Sequence, residues 1–301
     1  MDRKKVFIVL NPVAGTTDPD DVRVMFGECG DEGGLECEVY ETQEDDDVTA
    51  IVREALGNHF DLVVVAGGDG TVSSVASALV NTEIPLAILP AGTGNVFAQE
   101  LGVPEDLEEA MSLLLGEHKV RCVDVMQTDE RYCLLNVGVG MSASMMEDTE
   151  RDQKRSLGFF AYILAGVKKA LGYQPHRFNI TIDGKRQKVH ASEVMVVNSP
   201  ALGTSTIRLQ DGIRLDDGQM EVCFLQTKSV LDYAKIGTSL LLAREKQSPH
   251  IHCIKVDEEL TIEADEEVGV QGDGDLLGTT PVTVRLVPQA LQVIVPRDSE
   301  K

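Results

Sequence analysis

The sequence predicts two domains: an α/β N-terminal domain built on a Rossmann-like parallel sheet, and a mainly antiparallel β-sandwich C-terminal domain. Three observations carry this. Continuous apolar runs at residues 6–10, 62–66 and 86–89 read as strands buried on both faces, as parallel strands are. Between them, residues 48–56 and 72–80 space apolar side chains three and four apart, as helices do. Beyond about residue 120 the texture changes to short alternating segments parted by Asp-Gly turns. A chain of 301 residues suits two domains of ~100–200 residues each.

Strand 6–10 stops at Asn11-Pro12, because proline has no N–H to give a ladder. The strand–helix–strand–helix order that follows implies βαβ units. Residues 105–115 form a further helix whose acidic start complements the helix dipole. In the second half, residues 121–127, 132–137, 178–182, 193–197, 219–225, 250–256, 259–263 and 283–287 read as strands, with turns at Asp183-Gly184 and Asp217-Gly218. One apolar helix, about 156–171, interrupts them, and no internal repeat is visible. The expected division is 1–125, with 289–301 packing back on it, and 126–288.

Lys plus Arg number 27 against 50 Asp plus Glu, a net charge of −23, which argues against a nucleic-acid binder. With 43% hydrophobic and 26% charged residues the chain reads as soluble and globular. The charge is uneven: residues 1–150 carry −22, 151–191 carry +7 and 192–301 carry −8. The one basic segment contains the apolar helix. Six cysteines, at 29, 37, 122, 133, 223 and 253, include no Cys-x-x-Cys. They read as small buried apolar residues in a reducing compartment, not as a disulfide frame or zinc site. The five-residue run 6–10 is too short for a signal-peptide core, and no apolar run reaches the ~18 residues a bilayer span needs. A cytoplasmic protein is expected.

The strongest chemical feature is Ala66-Gly67-Gly68-Asp69-Gly70-Thr71, at the end of an apolar strand and the start of a helix. Glycines let a ligand approach the backbone, and a helix N-terminus offers free N–H groups to an anion. Two similar loops follow neighbouring strands: Asn11-Pro12-Val13-Ala14-Gly15-Thr16-Thr17 and Pro90-Ala91-Gly92-Thr93-Gly94-Asn95. Three such loops at the carboxyl ends of parallel strands suit a polyphosphate. Asp69 would repel phosphate unless it held a metal or a hydroxyl proton. No GxxxxGK[ST] occurs, which excludes a P-loop.

Together, Asn11-Pro-x-x-Gly15, Gly67-Gly-Asp-Gly-Thr71 and Pro90-x-Gly-Thr-x-Asn95 resemble the diacylglycerol kinase catalytic family, which includes bacterial soluble lipid kinases and sphingosine kinases. The likeness runs over nearly the whole chain, through Asn136-x-Gly138, Lys154-Arg155-x-x-Gly158 with Tyr162, Leu215-Asp216-Asp217-Gly218 and Gln271-Gly-Asp273-Gly-Asp275. Gly-Gly-Asp-Gly-Thr alone is shared with NAD kinases. The Gly-Thr-x-Asn loop with Phe97-Ala98 and Leu101-Gly102 points to the lipid side.

The resemblance implies ATP bound between a nucleotide-binding domain and a lipid-substrate domain, with Mg²⁺ bridging the phosphates. It implies that Asp69, catalytic together with Asp273, lines the nucleotide phosphates, and that Asn11, Gly15, Thr16, Gly67, Gly68, Gly70, Thr71, Gly92, Thr93, Asn95 and Asp275 bind the nucleotide. Asp273 would be the base that takes the lipid hydroxyl proton, and Asp216, Asp217 and Met220 match a structural metal site. A primary hydroxyl is a poor nucleophile, and a positioned carboxylate contributes ~10²–10⁴-fold. The implied acceptor is diacylglycerol or another membrane lipid, met at the inner face of the membrane, and similar folds can form a homodimer through the β domain. The chain departs from the family at Val96 and Gln99, where many members have Asp and Arg, and at Asp275, usually Glu.

Other residues draw plainer readings. Asn136-Val-Gly138-Val-Gly140-Met-Ser-Ala143 copies dinucleotide-fingerprint spacing without a βαβ unit around it, and reads as a strand-to-helix turn bordering the lipid pocket. His250-x-His252 lacks partners at ligand spacing and reads as surface histidines. The helix over 157–167 is either core or an acyl-chain guard. Beside it, Lys154, Arg155, Lys168, Lys169, Arg177, Lys185, Arg186 and Lys188 could meet anionic headgroups.

Overall fold

The computed structural model describes residues 3–15, 19–32, 35–129, 131–151, 174–201, 208–210, 212–226 and 251–297. Thr16, Lys154, Arg155, Tyr162, Lys168, Lys169, His250 and the helix expected over 156–171 lie outside them. The chain divides into one unit of Met1–Val123 with Gln289–Lys301 and a second of Asp124–Pro288.

In the first unit four parallel strands run in the order β2 (Leu35–Glu41), β1 (Lys4–Leu10), β3 (Leu62–Gly67) and β4 (Leu86–Pro90). The end of β16 (Val282–Pro296) joins beside β4, with Val293 paired to Leu86. β3 and β4 are buried along their whole length, which is why their sequences are unbroken apolar runs. The helices are α1 (Pro19–Glu32), α2 (Val48–Ala55), α3 (Asp69–Leu79), α4 (Val96–Glu100) and α5 (Leu107–Leu115). Asp47 and Asp106 cap α2 and α5 by accepting the N–H of Ala50 and Glu109, each at 3.0 Å. α3 starts three residues earlier than its apolar spacing suggests, because Asp69, Gly70 and Thr71 already follow the helical path after the extended Gly68.

The second unit is a sandwich of two antiparallel sheets. One runs from the start of β16 through β13 (Glu259–Ala264) and β8 (His176–Ile182) to β9 (Lys185–Ala191). The other has the order β12 (Ile251–Val256), β11 (Met220–Leu225), β10 (Glu193–Val197), β7 (Asn136–Gly140), β14 (Gly269–Gly272) and β15 (Asp275–Thr279). Phe178, Ile180, Leu260 and Val284 from one sheet pack with Val137, Val194, Val222 and Phe224 from the other in a single core.

Three expectations change. The strand expected over 132–137 is two: β6 (Arg131–Cys133), paired with β5 (His118–Thr128), and β7 in the other sheet, so the chain changes sheets at Leu134-Leu135. The fingerprint-like stretch is strand through Gly140, and α6 (Met141–Arg151) begins only afterwards, so Gly138 is an interior strand residue rather than part of a turn. The cysteines are not all thiols. Cys223 and Cys253 lie directly opposite each other on β11 and β12 and form a disulfide. Cross-strand register, not sequence spacing, brings that pair together. Among the described residues no helix is long and apolar enough to cross a membrane.

Candidate active site

The first unit gathers the three glycine-rich loops at the carboxyl ends of β1, β3 and β4. Asn11 joins two of them: its N–H donates to Ala66 O at 2.9 Å and its Nδ2 to Thr71 Oγ1 at 2.9 Å. Ala91 N–H donates to Gly67 O at 3.0 Å, tying the second pair. A side chain at Gly92 would place its Cβ 2.5 Å from Gly68 Cα, so these two backbones touch. Gly15 has φ +58° and sits against the Ala91 carbonyl, where any Cβ would overlap it. Asn95, at φ +49°, closes its own loop by accepting Gly92 N–H at 2.9 Å and donating to Gly92 O at 2.8 Å. Gly70 and Thr93 are exposed on these loops, and no side chain caps the start of α3. That leaves a helix N-terminus at the centre of the cluster, suited to an anion.

Asp69 points from α3 to the start of α4. Its Oδ1 accepts the Phe97 N–H at 3.3 Å, and the amides of Val96 and Asn95 also bond to the carboxylate. Burial holds its carboxyl above the ordinary range, while those amides oppose the shift. Gly94 must be small, since a Cβ there would come 2.7 Å from Asp69 Oδ2. The departures from the family also find places here. Val96 is buried at 4% exposure, and Gln99 Nε2 donates to Gly94 O at 3.0 Å, bracing the loop from inside.

The second unit holds Asp273 in the β14–β15 turn at φ +49°. Its Oδ2 accepts Leu134 N–H at 2.6 Å, and its Oδ1 accepts Leu135 and Asn136 N–H at 2.9 and 3.0 Å. Its own N–H donates to Asn136 O at 3.0 Å. These bonds engage the amides of Leu134 and Leu135, the two residues between β6 and β7, where the expected strand breaks. Gln271, 4% exposed, donates to Asn136 Oδ1 at 2.9 Å and accepts Gly274 N–H at 3.2 Å. Gly272 lies against Cys133, whose thiol is pushed up by burial and by the Asp273 charge. Asp275 is exposed two residues on, opposite Gly272 in the hairpin.

The loop carrying the expected metal ligands lies in the same unit. Asp216 pairs with Arg214 at 3.2 Å, and Asp217 Oδ1 accepts Gln219 N–H at 3.1 Å. Met220 is fully buried, and since a thioether is not a donor a hard cation takes, the one ligand it could offer is its main-chain carbonyl. Burial first, then the charge of Asp217, pushes the neighbouring Glu221 up to about 7. Crowded carboxylates with main-chain carbonyls are the oxygen donors a hard cation takes. Among the described residues no three His, Cys, Asp or Glu side chains converge as a metal-binding set, so Asp217, main-chain oxygens and water would have to suffice.

Sequence reading passed over several buried polar groups. Asp124, 0% exposed, accepts Gly218 N–H at 2.7 Å. Glu193, 3% exposed, accepts the N–H of Ser142 at 2.9 Å and its hydroxyl at 2.5 Å. The available signal was a single acid inside an otherwise apolar strand, as in Val-Asp-Val and Ser-Glu-Val-Met-Val-Val.

An α/β unit with three glycine loops on one sheet edge and a separate antiparallel β-sandwich unit are the fold of the lipid-kinase class. The comparisons agree. The diacylglycerol kinase catalytic domain matches residues 5–128, and the YegS C-terminal NAD kinase beta sandwich-like domain matches residues 136–295. A "Probable lipid kinase YegS-like" of Pseudomonas aeruginosa is 31% identical over 302 residues, covering 99% of this chain and 97% of that one. The "Diacylglycerol kinase" of Bacillus subtilis (strain 168) is 25% identical, covering 98% and 97%. A diacylglycerol kinase crystal structure from Bacillus anthracis str. Sterne superposes with TM-score 0.73 at 26% identity, over 99% of this chain and 98% of that one. The chain belongs to the diacylglycerol kinase catalytic-domain family, in its lipid-kinase branch with the YegS-type C-terminal domain.

Proposed function

We propose that the protein transfers the γ-phosphoryl group of ATP to a hydroxyl of a membrane lipid, with diacylglycerol as the first acceptor to test and Mg²⁺ on the nucleotide. The observation that carries this reading is Asp273, an acid at a turn apex whose carboxylate is fixed by three main-chain amides. It takes the proton of the attacking hydroxyl as the O–P bond forms and the bond to the ADP leaving group breaks. The glycine loops and the start of α3 bind phosphate oxygens, and Asn11, Thr71 and Asn95 hold those loops in shape. Asp69 acts in the same place by fixing the start of α4. Mg²⁺ on the phosphates supplies charge neutralisation. A second cation would rest on Asp217, aided by Asp216 and the Met220 carbonyl, and would steady that loop. Exposed Arg177, Lys185, Arg186 and Lys188 on β8 and β9 support contact with an anionic bilayer surface.

The test is transfer of labelled phosphate from ATP to a panel of lipids in mixed micelles, comparing wild type with Asp273→Asn. A labelled lipid lost by at least about 10²-fold in the variant is expected. NAD phosphorylated without lipid or detergent would instead make the protein a nucleotide kinase. ATP bound with no labelled product would make it a silent lipid-binding scaffold.

A further inference from the structure

Asn198 follows β10 and has no exposed surface. Its side-chain amide donates both hydrogens to main-chain carbonyls, to Asp124 O at 2.8 Å and Leu134 O at 3.1 Å. Its own N–H donates to Leu135 O at 3.0 Å. The carbonyls of Leu134 and Leu135 belong to the peptide groups whose N–H groups, on Leu135 and Asn136, donate to Asp273 Oδ1. Each of these two peptide planes is therefore gripped on its oxygen by Asn198 and on its hydrogen by Asp273. A carbonyl that accepts a hydrogen bond polarises its peptide and strengthens the donation from the other side.

The residue type fits this task. Two hydrogens on one short, neutral group are required, and neither a hydroxyl nor a carboxylate supplies them. The Asn198 Oδ1 is buried and makes no hydrogen bond among the described residues, so the side chain works through its donors. The third carbonyl it holds is that of Asp124, whose carboxylate takes Gly218 N–H and whose N–H donates to Leu215 O at 2.7 Å. One side chain thus reaches both the turn that aims Asp273 and the loop that bears Asp217.

We propose that Asn198 is a positioning residue for Asp273. Through the peptide groups 134–135 and 135–136 it fixes and polarises the amides that aim the carboxylate, and through Asp124 it locks the same turn to the Asp217 loop. The proposal deepens the kinase reading of Asp273 and rests on it.

Two variants of the full chain test this: Asn198→Asp keeps the shape and removes both donors, and Asn198→Ser is the milder change should the first not fold. The first readout is hydrogen–deuterium exchange of peptides covering 131–137, with β11 as the reference strand. The second is kcat against KM for ATP in the lipid assay. Exchange at 134–136 is expected to quicken at least about tenfold with β11 unchanged. The kcat should fall about 10–100-fold while KM for ATP stays within about twofold, as misplacing one group by an ångström does. Unchanged exchange at 134–136 overturns the proposal. So does acceleration shared equally by β11, or a kcat left at the wild-type value. If wild type labels no lipid, the kinase reading fails by itself, and the exchange readout still decides whether Asn198 holds the turn.

Discussion

Replacing Glu193 with Gln should change how stability depends on pH, and the size of the effect follows from its surroundings. Glu193 opens β10 and is 3% exposed. Its two oxygens accept the Ser142 N–H and hydroxyl, capping the first turn of α6. Burial outweighs these bonds and pushes the carboxyl from 4.5 to about 7. The folded protein therefore holds this proton more tightly than the unfolded chain does. Stability from this group is complete below pH ~4.5 and is lost as pH rises through about 7. At 1.36 kcal/mol per pH unit the loss is about 3 kcal/mol. Gln keeps an acceptor for Ser142 N–H and a donor for its hydroxyl, but has nothing to ionise. Glu193→Gln should thus gain up to about 3 kcal/mol on wild type between pH 5 and pH 8.5, roughly 6–12 °C in Tm. Urea midpoints of both proteins across that range measure it. Glu221, also pushed to about 7, titrates in both and cancels in the difference. A difference between variant and wild type that stays constant with pH refutes the reasoning.

Three further outcomes are expected. Gly92→Ala drives a Cβ to 2.5 Å from Gly68 Cα and 2.8 Å from Asn95 Oδ1, so two loops must part; calorimetry should show ATP affinity reduced at least about tenfold, well over 1 kcal/mol. Asp69→Asn turns an acceptor oxygen into a donor facing the amides of α4, and should cost about 0.5–2 kcal/mol in thermal unfolding at pH 7, as loss of a helix cap does. Cys223→Ser opens a disulfide whose cysteines are 30 residues apart, and the loop-entropy relation gives a cost of ~3–4 kcal/mol; reduced wild type should match the variant in denaturant, and thiol titration of wild type before reduction should find both cysteines blocked.

What the sequence revealed depended on how far apart the interacting residues lie. β1, β3 and β4 were legible because their buried stretches are unbroken apolar runs. The hairpin at Asp183-Gly184 was legible because both residues take positive φ, which Asp and Gly tolerate. β2 and β9 were not, because both are edge strands with mixed polar sequences, Leu-Glu-Cys-Glu-Val-Tyr-Glu and Lys-Arg-Gln-Lys-Val-His-Ala. The break between β6 and β7 falls where main-chain amides bond to Asp273, 137 to 139 residues away, so no local pattern could announce it. Shorter separations, 30 residues for Cys223–Cys253 and 64 and 74 for the side-chain bonds of Asn198, hid those partners in the same way. The glycine loops were found as motifs, yet the contacts that make each glycine necessary, such as Gly68 against Gly92, run between loops.

The two acids singled out for chemistry share one arrangement: Asp69 sits on the amides that open α4, and Asp273 on the amides of 134–136. Neither is a loose side chain waiting for substrate. Phosphoryl transfer passes through a loose transition state, and catalysis is mostly placement and charge stabilisation. An acid locked to main-chain amides gives up rotational freedom before substrate arrives, so none has to be lost during reaction. The departures at Val96 and Gln99 fit the same logic. Without an Asp and an Arg there, Asp69 accepts the Phe97 N–H just past the Gly92–Asn95 loop, Gln99 donates to the Gly94 carbonyl within it, and Val96 is buried. The substituted residues still serve placement, and it is placement that the proposed phosphoryl transfer demands.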